Sequence, residues 1–554
     1  DVDRAAQEET MQHRLFTYYT YDTTGLVEID EEPPAPLNRE ALDIVLTIAK
    51  MFDMTPLPEI HTMRKMIVDG SATSGFQRTA LVALNGKIAD TCRIETVAVE
   101  EEACQRVEDT IFSVDRLGIP LIEITTAPCM KTPEEVHDVA QYIGMTLRST
   151  GRVKRGLGTI RQDVNVSIAD GARVEIKGVQ ELDLIAEVVR REVQRQLSLL
   201  AIRDELLARN ALVNGEVYDV TKVFAETKSN VLKKAKCILG TVLHGFAGLV
   251  GTEIQPGRRL GSEMSDYAKK CGVGGLFHTD ELPAYGVTEE EVHILKETLG
   301  AGEQDAVIIV AATEQKCRCA MKMIIRRAKM AFDGVPEETR KMLEGGSTAY
   351  MRPLPGAARM YPETDVLPVP VSDEYFAAIR MPELLTDKVK RFASEYGMDD
   401  GMARQMAYSE QLPLFERAVA EGIRPVFAAR TILASLKEAN RADGAGIISD
   451  DAVIGVMKAV EAGNAAKEAI IDILTACAKG LSVKDAIAKV APAFSREELQ
   501  ELVRGIVSER VDFIKERGKA ALGPVMGVVM KEVRGRIDGK VVSEVLNDEL
   551  NRIM

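Results

Sequence analysis

The chain has 554 residues, room for about three to five domains at roughly 100–200 residues each. With 46% hydrophobic and 28% charged residues it is too apolar to be a disordered chain, and its net charge of −15 excludes a uniformly basic nucleic-acid coat while leaving room for a local basic patch. No apolar run reaches the roughly 18 residues of a membrane span, and the absence of Trp, with aromatics at 5%, argues against a carbohydrate or aromatic-cage binder.

Taken in order, the chain starts at Asp1 in a polar stretch with neither an initiator Met nor a signal peptide. Residues up to about 190 read as mixed α/β. A Pro-rich connector, Glu31 to Pro36, precedes a helical pattern from Leu37 to Phe52. Val99-Glu100-Glu101-Glu102 sets three carboxylates side by side, which suits a solvated face as well as a ligand set. In Leu117 to Pro128 a lone Glu123 sits within an apolar strand, where a carboxylate is costly unless it is paired or binds a metal. Thr132-Pro133-Glu134-Glu135 has the N-cap, the N1 proline and the N3 glutamate of a helix start, predicting a helix to about Ser149.

Leu147 to Arg161 collects Arg148, Arg152, Lys154, Arg155 and Arg161 with no acid, and Gly151, Gly156 and Gly158 permit close backbone approach. It is no Walker A loop, but its composition suits a phosphate-rich ligand; a solvated basic loop is the alternative. Then the period turns to two. Asp163, Asn165 and Ser167 alternate with Val164, Val166 and Ile168, and Glu175 and Lys177 with Val174 and Ile176. A three-residue loop, Asp170 to Ala172, sets Ser167 opposite Glu175 and Asn165 opposite Lys177, gathering the polar residues on one face. A basic loop running into that face reads as phosphates beside a carboxylate-bound divalent cation.

Residues from about 225 to 350 read as a separate α/β unit, with a buried strand at Ala306–Ala312 and a capped helix starting at Thr288. Met351 to Val371 carries five prolines and is expected to be extended. Beyond about 372 nearly all is helical, with a capping box at Ser495. Lys515 to Lys540 holds seven basic residues, among them Lys531, Arg534 and Arg536, against three acidic ones, a local +4 that suits a polyanion or a solvated helical face. The eight cysteines are scattered, with no C-x2-C pair, so reduced, partly buried thiols are expected rather than a zinc site or a disulfide framework. The six histidines stand in no motif.

SGFQRTALVALNGKI, VDRLGIPLIEITTAP, LRSTGRVKRGLGTIRQDVNVSI, ARVEIKGVQELDLI and GAARMYPETDV together closely resemble the E-subunit family of archaeal glutamyl-tRNA(Gln) amidotransferases, relatives of the bacterial B subunit. The resemblance spans essentially the whole chain. FAGLVGTEIQPGRRLG with GGLFHTDELPAYG resembles a domain inserted in bacterial-type aspartyl-tRNA synthetases, and GPVMGVVMKEVRGRIDGKVVSEVLNDEL the small YqeY-like proteins. It implies a multidomain α/β (α+β) fold. A discontinuous cradle domain (1–225 and 350–371) is interrupted by an aspartyl-tRNA-synthetase-like α/β domain (226–349). An all-α helical domain (372–448) and a YqeY-like helical tail (449–554) follow.

The implied reaction phosphorylates the side-chain carboxylate of Glu-tRNA(Gln) with ATP, after which ammonia displaces the phosphate to give Gln-tRNA(Gln). Ammonia is expected from an asparaginase-like D subunit, in a cytoplasmic heterotetramer, with Mg2+ as the metal. By motif, Glu101 and Glu123 are expected to ligate it and to converge on one ion, with Glu100 a third ligand. Asp163, Asn165, Glu175 and Lys177 are expected to line the catalytic cradle, Arg148, Arg152, Lys154, Arg155 and Arg161 to bind phosphates or the acceptor end, and Lys531, Arg534 and Arg536 to dock tRNA. The family's glycine-leucine-Glu-x-His motif is absent; Asp1 is expected to fall downstream of it, which leaves the metal set short of that motif's ligands. A tRNA-recognition platform and a scaffold for the D subunit are the competing readings; Glu123 and the polar hairpin face favour the enzyme.

Overall fold

The computed structural model describes residues 14–22, 32–88, 91–108, 110–156, 158–354, 356, 360–442, 446–490, 496–533, 537 and 539–553. The chain forms two compact units, Asp1–Pro382 and Glu383–Met554. The first is mixed α/β and the second all-helical.

Helix α1, Arg39–Met51, starts where the Asn38 side chain accepts the Ala41 N–H at 2.9 Å. Leu42, Val45, Leu46 and Ala49 recur at helical spacing and are fully buried. They cover one face of an antiparallel sheet whose main strands are β1 (Thr62–Met66), β2 (Phe76–Ile88), β3 (Cys92–Glu101) and β4 (Pro120–Thr126). Helix α2, Pro133–Ser149, has the full capping box at Thr132 and Glu135 that its sequence predicts.

Strands β5 (Gln162–Val166) and β6 (Val174–Val179) form the expected hairpin, followed by the long helix α3 (Ile185–Ala208). Its register differs from the expected one. Asn165 lies opposite Glu175, not Lys177, and Val166 opposite Val174. The connecting loop is longer because Gln196 of α3 clamps it, donating to Val166 O at 3.3 Å and Ala172 O at 3.1 Å. A slip of two residues leaves the faces unchanged, so the polar residues still share one side.

Strand β7 (Cys237–Leu243), helix α4 (Leu260–Lys269), the capped helix α5 (Glu289–Leu299), strand β8 (Ala306–Ala312) and helix α6 (Glu314–Met330) follow. β7 and β8 pair antiparallel along their whole length, β7 buried throughout and β8 from Ala306 to Val310, as their apolar runs lead one to expect. Strands β9 (Glu338–Met342) and β10 (Thr348–Pro353) then join the earlier hairpin, giving the sheet order β5-β6-β9-β10 with β6 and β9 parallel. The Pro-rich stretch returns to the first sheet. Strand β11 (Met360–Pro362) pairs with β1, and Val369–Pro370 with Glu59–Ile60.

A charge network with no exposure to solvent locks these pieces together. Arg195 of α3 contacts Glu192 and Glu338, each at 2.8 Å, and Glu263 of α4. Glu263 also takes Arg327 of α6 at 2.6 Å and Arg340 of β9 at 3.0 Å. Tyr267 donates to Glu338 at 2.6 Å. Burial alone pushes the Glu263 carboxyl up, but the three guanidiniums outweigh it and hold it well below its ordinary range.

The cysteines correct the expectation of reduced thiols. Cys92–Cys129 and Cys271–Cys319 are disulfide-bonded, with Cα atoms 5.4 and 5.8 Å apart. Partners 37 and 48 residues apart carry no spacing signal, so folding alone brings them together. Cys104, Cys237 and Cys317 form no disulfide and are buried.

The second unit packs short helices from α7 (Leu385–Tyr396) onward and ends in α8 (Arg496–Ser508), α9 (Leu522–Val533) and α10 (Gly539–Ile553), which share one core. Ser495, the expected cap of α8, lies outside the described residues. Among the described residues no helix is long and apolar enough to cross a membrane.

Candidate functional site

Side chains alternate across a strand, so the pairing of β3 with β4 decides which carboxylates meet. Glu123 lies opposite Ala98, and Leu121 opposite Glu100, which sets Glu100 and Glu123 on one face. Glu101 is one residue on and turns to the other face, the side that α1 covers. The expected convergence of Glu101 and Glu123 on one ion is therefore not what the register produces. Glu123 is also not a buried carboxylate: β4 ends the sheet order, Ile122 and Ile124 face the core, and the Glu123 side chain is 48% exposed.

On the Glu100 face, Lys65 of β1 stands between the two carboxylates. Its Nζ pairs closely with Glu100 and lies 4.0 Å from Glu123 Oε2. A Mg2+ ion takes about six oxygen ligands. Among the described residues no group of three or more His, Cys, Asp or Glu side chains could hold a metal ion. The residues present do not fit a Mg2+ site, because an ammonium already balances the pair.

On the other face, a cleft of about 320 Å³ opens where the apolar face of the sheet ends. Arg78 pairs with Glu101, and Arg64 binds Glu363 through Nη2–Oε1 at 2.8 Å while lying 4.3 Å over the Phe76 ring. Gln77 donates to the Glu101 carbonyl at 2.6 Å. Arg64, Lys65, Arg78 and Glu363 were missed as site residues. The one available signal is the acid in the GAARMYPETDV motif, since Arg64 stands beside Lys65 and Arg78 between Gln77 and Thr79, with no apolar alternation to mark them.

Burial pushes the Glu363 carboxyl up, but the Arg64 hydrogen bonds, the Asp365 N–H and the charge of Arg78 together hold it below its ordinary value. A carboxyl lowered on folding contributes stability above its unfolded pKa of about 4.5 and loses it as the pH falls through the lower folded value. Glu363→Gln should therefore cost about 1 kcal/mol at neutral pH, and the gap from wild type should close in acid. Urea titrations at pH 7 and pH 3 measure it; a gap that does not narrow on acidification would rule out the ionised clamp.

The hairpin supplies the second polar surface. Asn165, Glu175, Thr339 and Arg352 are successive cross-strand neighbours along one row. Thr339 donates to Glu175 at 2.9 Å, and Lys177 reaches Asp163 at 2.7 Å and Glu175 at 3.3 Å. Burial raises the Glu175 carboxyl, but Lys177 and Thr339 outweigh it and keep it below its ordinary value; burial lowers Lys177, and Asp163 and Glu175 raise it further. Arg352 ends the row on Asp69, in the β1–β2 loop, at 3.1 Å. The row thus unites four expected residues, Asp163, Asn165, Glu175 and Lys177, with Thr339 and Arg352, which no local pattern marked.

Residues 14–377 match the family model of the GatB/GatE catalytic domain, and residues 413–550 that of the GatB domain. The glutamyl-tRNA(Gln) amidotransferase E subunit of Methanospirillum hungatei JF-1 is 64% identical over 556 residues, covering 100% of this chain and 90% of that protein. The E subunits of the same name from Methanosarcina barkeri and Methanocaldococcus jannaschii are 54% and 48% identical, again over 100% of this chain and over 90% and 91% of their own lengths. The chain belongs to the GatB/GatE family.

The loop after α2 is pinned by Val153 and Ile160, which pack against the α1 core. Gly151, Gly156 and Gly158 have φ of +66°, +112° and +78°, a conformation that favours glycine. Arg161 reaches Glu102 at the cleft rim (2.8 Å) and Arg152 reaches Glu40 (3.2 Å), while Arg148 and Lys154 are exposed. Arg155 is half-buried. Of the expected tail residues, Lys531 is exposed in the last turn of α9, and Arg534 and Arg536 lie outside the described residues.

Proposed function

We propose that this chain is the E-type component of a cytoplasmic tRNA-dependent amidotransferase that converts Glu-tRNA(Gln) to Gln-tRNA(Gln). The observation that carries this reading is the likeness to proteins of that name over the entire chain. A carboxylate is a poor acyl donor; phosphorylation by ATP gives it a leaving group, and ammonia then displaces the phosphate. ATP is the expected phosphoryl donor and Mg2+ the expected metal, although the Glu100, Lys65 and Glu123 arrangement does not by itself form a site for it. An asparaginase-like D subunit is the expected ammonia source, in a heterotetramer. The domain limits 1–225 with 350–371, 226–349, 372–448 and 449–554 belong to the same proposal.

The chain's own residues have work that follows from their chemistry. Arg64 and Arg78 present guanidinium forks in the cleft, suited to planar carboxylate or phosphate oxygens. Lys177, held charged by Asp163 and Glu175, and the loop cations suit the phosphates of nucleotide or acceptor end. The deciding experiment is phosphate release from ATP by the full chain with its ammonia-supplying partner. Release that requires Glu-tRNA(Gln) is expected; tight tRNA binding with no release would instead make the chain a recognition platform.

The two basic segments should separate by kinetics. Replacing Lys531, Arg534 and Arg536 by Ala should weaken tRNA binding and flatten its salt dependence by about two units, at about 0.7–0.9 per phosphate contact, with turnover at saturation unchanged. Replacing Arg152, Lys154 and Arg155 should lower turnover as well. Equal turnover losses at saturating tRNA would contradict this division.

A further inference from the structure

Helix α6 carries a cationic stripe that the cleft, the loop and the tail do not use. Its inner face, including Ala320, Met321, Ile324 and Ala328, lies in the core, and Arg327 belongs to the buried network. Its outer face presents Lys322, Arg326 and Lys329, spaced four and three residues apart and all exposed. With the turn at Asn214 and Gly215 facing them, these side chains wall an open groove of about 550 Å³, in which Asp333 is the one acid.

No glutamate stands four residues before any cation of the stripe, as one does for three arginines elsewhere in this chain. Arg191, Arg209 and Arg318 each pair with a glutamate four residues earlier, at 2.7 Å in every case. Lys322 and Lys329 make no ion pair or hydrogen bond among the described residues. Like charges at i,i+3 and i,i+4 repel on a helix, each such pair costing a few tenths of a kcal/mol. A concave surface with a net positive charge on a protein of net −15 is complementary to an extended polyanion.

We propose that this groove docks the phosphodiester backbone of the substrate RNA, at a site additional to the loop after α2 and to the tail. The inference rests on the proposed tRNA substrate. Lysines on a helix face neutralise phosphates without reading bases, so the groove positions the RNA and leaves its discrimination to other surfaces. Each phosphate neutralised releases counterions, so its contribution is written in the salt dependence of binding.

The test is Lys322→Ala with Lys329→Ala in the full chain, measured against wild type by tRNA binding between 50 and 200 mM salt. Both side chains are exposed, so the fold is expected to be unaffected, and circular dichroism checks it. The double variant should bind more weakly at low salt, with a slope flatter by about 1.4–1.8, so that its deficit shrinks about tenfold across that range. Lys322→Arg with Lys329→Arg should restore both, and turnover at saturating tRNA should hold. Unchanged affinity and slope in the alanine variant overturn the proposal while leaving the amidotransferase reading intact. Loss of the ammonia-supplying partner on co-purification with tRNA affinity unchanged also overturns it, and marks the groove as a protein contact. Absence of tRNA binding by wild type overturns both readings together.

Discussion

Glu263→Gln should lower the stability of the Asp1–Pro382 unit by about 3–5 kcal/mol, an effect that few single substitutions reach. Glu263 is fully buried and is met by Arg195, Arg327 and Arg340, themselves fully buried. Three arginines then balance three glutamates, the others being Glu192 and Glu338. Removing the Glu263 charge strands one guanidinium charge in a dry interior, and the amide cannot accept from three forks as a carboxylate does. Because folding depresses the Glu263 carboxyl, its contribution is present above its unfolded value of about 4.5 and is lost only as the pH falls through its much lower folded one. The deficit of Glu263→Gln should therefore be full at pH 7 and persist into mild acid. Urea unfolding followed on this unit measures it; a deficit under about 1 kcal/mol would mean that the network is neither dry nor fully charged.

Under the proposed function, with the Glu100–Lys65–Glu123 group facing the reacting carboxyl, Glu123→Gln should reduce amidation by about a hundredfold or more while leaving tRNA affinity unchanged, the loss expected when one preorganised charge is removed. The substitution keeps size and removes charge. Its coupling to neighbours carries the structural content. Glu100 and Glu123 share Lys65, so Glu100→Gln and Glu123→Gln should be strongly non-additive. Glu101 answers to Arg78 on the opposite face, so Glu101→Gln should combine with Glu123→Gln additively in its effect on activity. Rates for the three single and two double variants decide. Strong coupling between positions 101 and 123, with none between 100 and 123, would sink the arrangement drawn from the strand register.

What could be read in the residues was local. The caps at Thr132 and Thr288 mark helix starts because a hydroxyl three residues before a glutamate satisfies orphan amides there. The apolar run Ala306–Ala312 is a strand, buried from Ala306 to Val310. The alternation in 163–177 gives the correct faces of the hairpin, although not its register, which Gln196 of a later helix sets. What escaped was set by distant partners. Glu123 looked buried because its neighbours are apolar, yet period two sends it outward while they turn inward. Lys65 meets Glu100 across 35 residues and Arg352 meets Asp69 across 283, and no periodicity spans such gaps. The disulfides escaped for the same reason.

The late arrival of β9 has a consequence for synthesis. Thr339 and Glu175, hydrogen-bonded neighbours in the folded sheet, are separated by 164 residues. At about 5–20 residues per second, translation leaves roughly 10–30 s between them. Through that interval β6 is an unpaired edge on the nascent chain, open to association with another strand. A ribosome stalled before residue 338 would release a product holding Asn165, Glu175 and Lys177 but lacking Thr339 and Arg352. Such a truncated product cannot assemble the polar row, so that surface exists only in chains whose translation has passed this point.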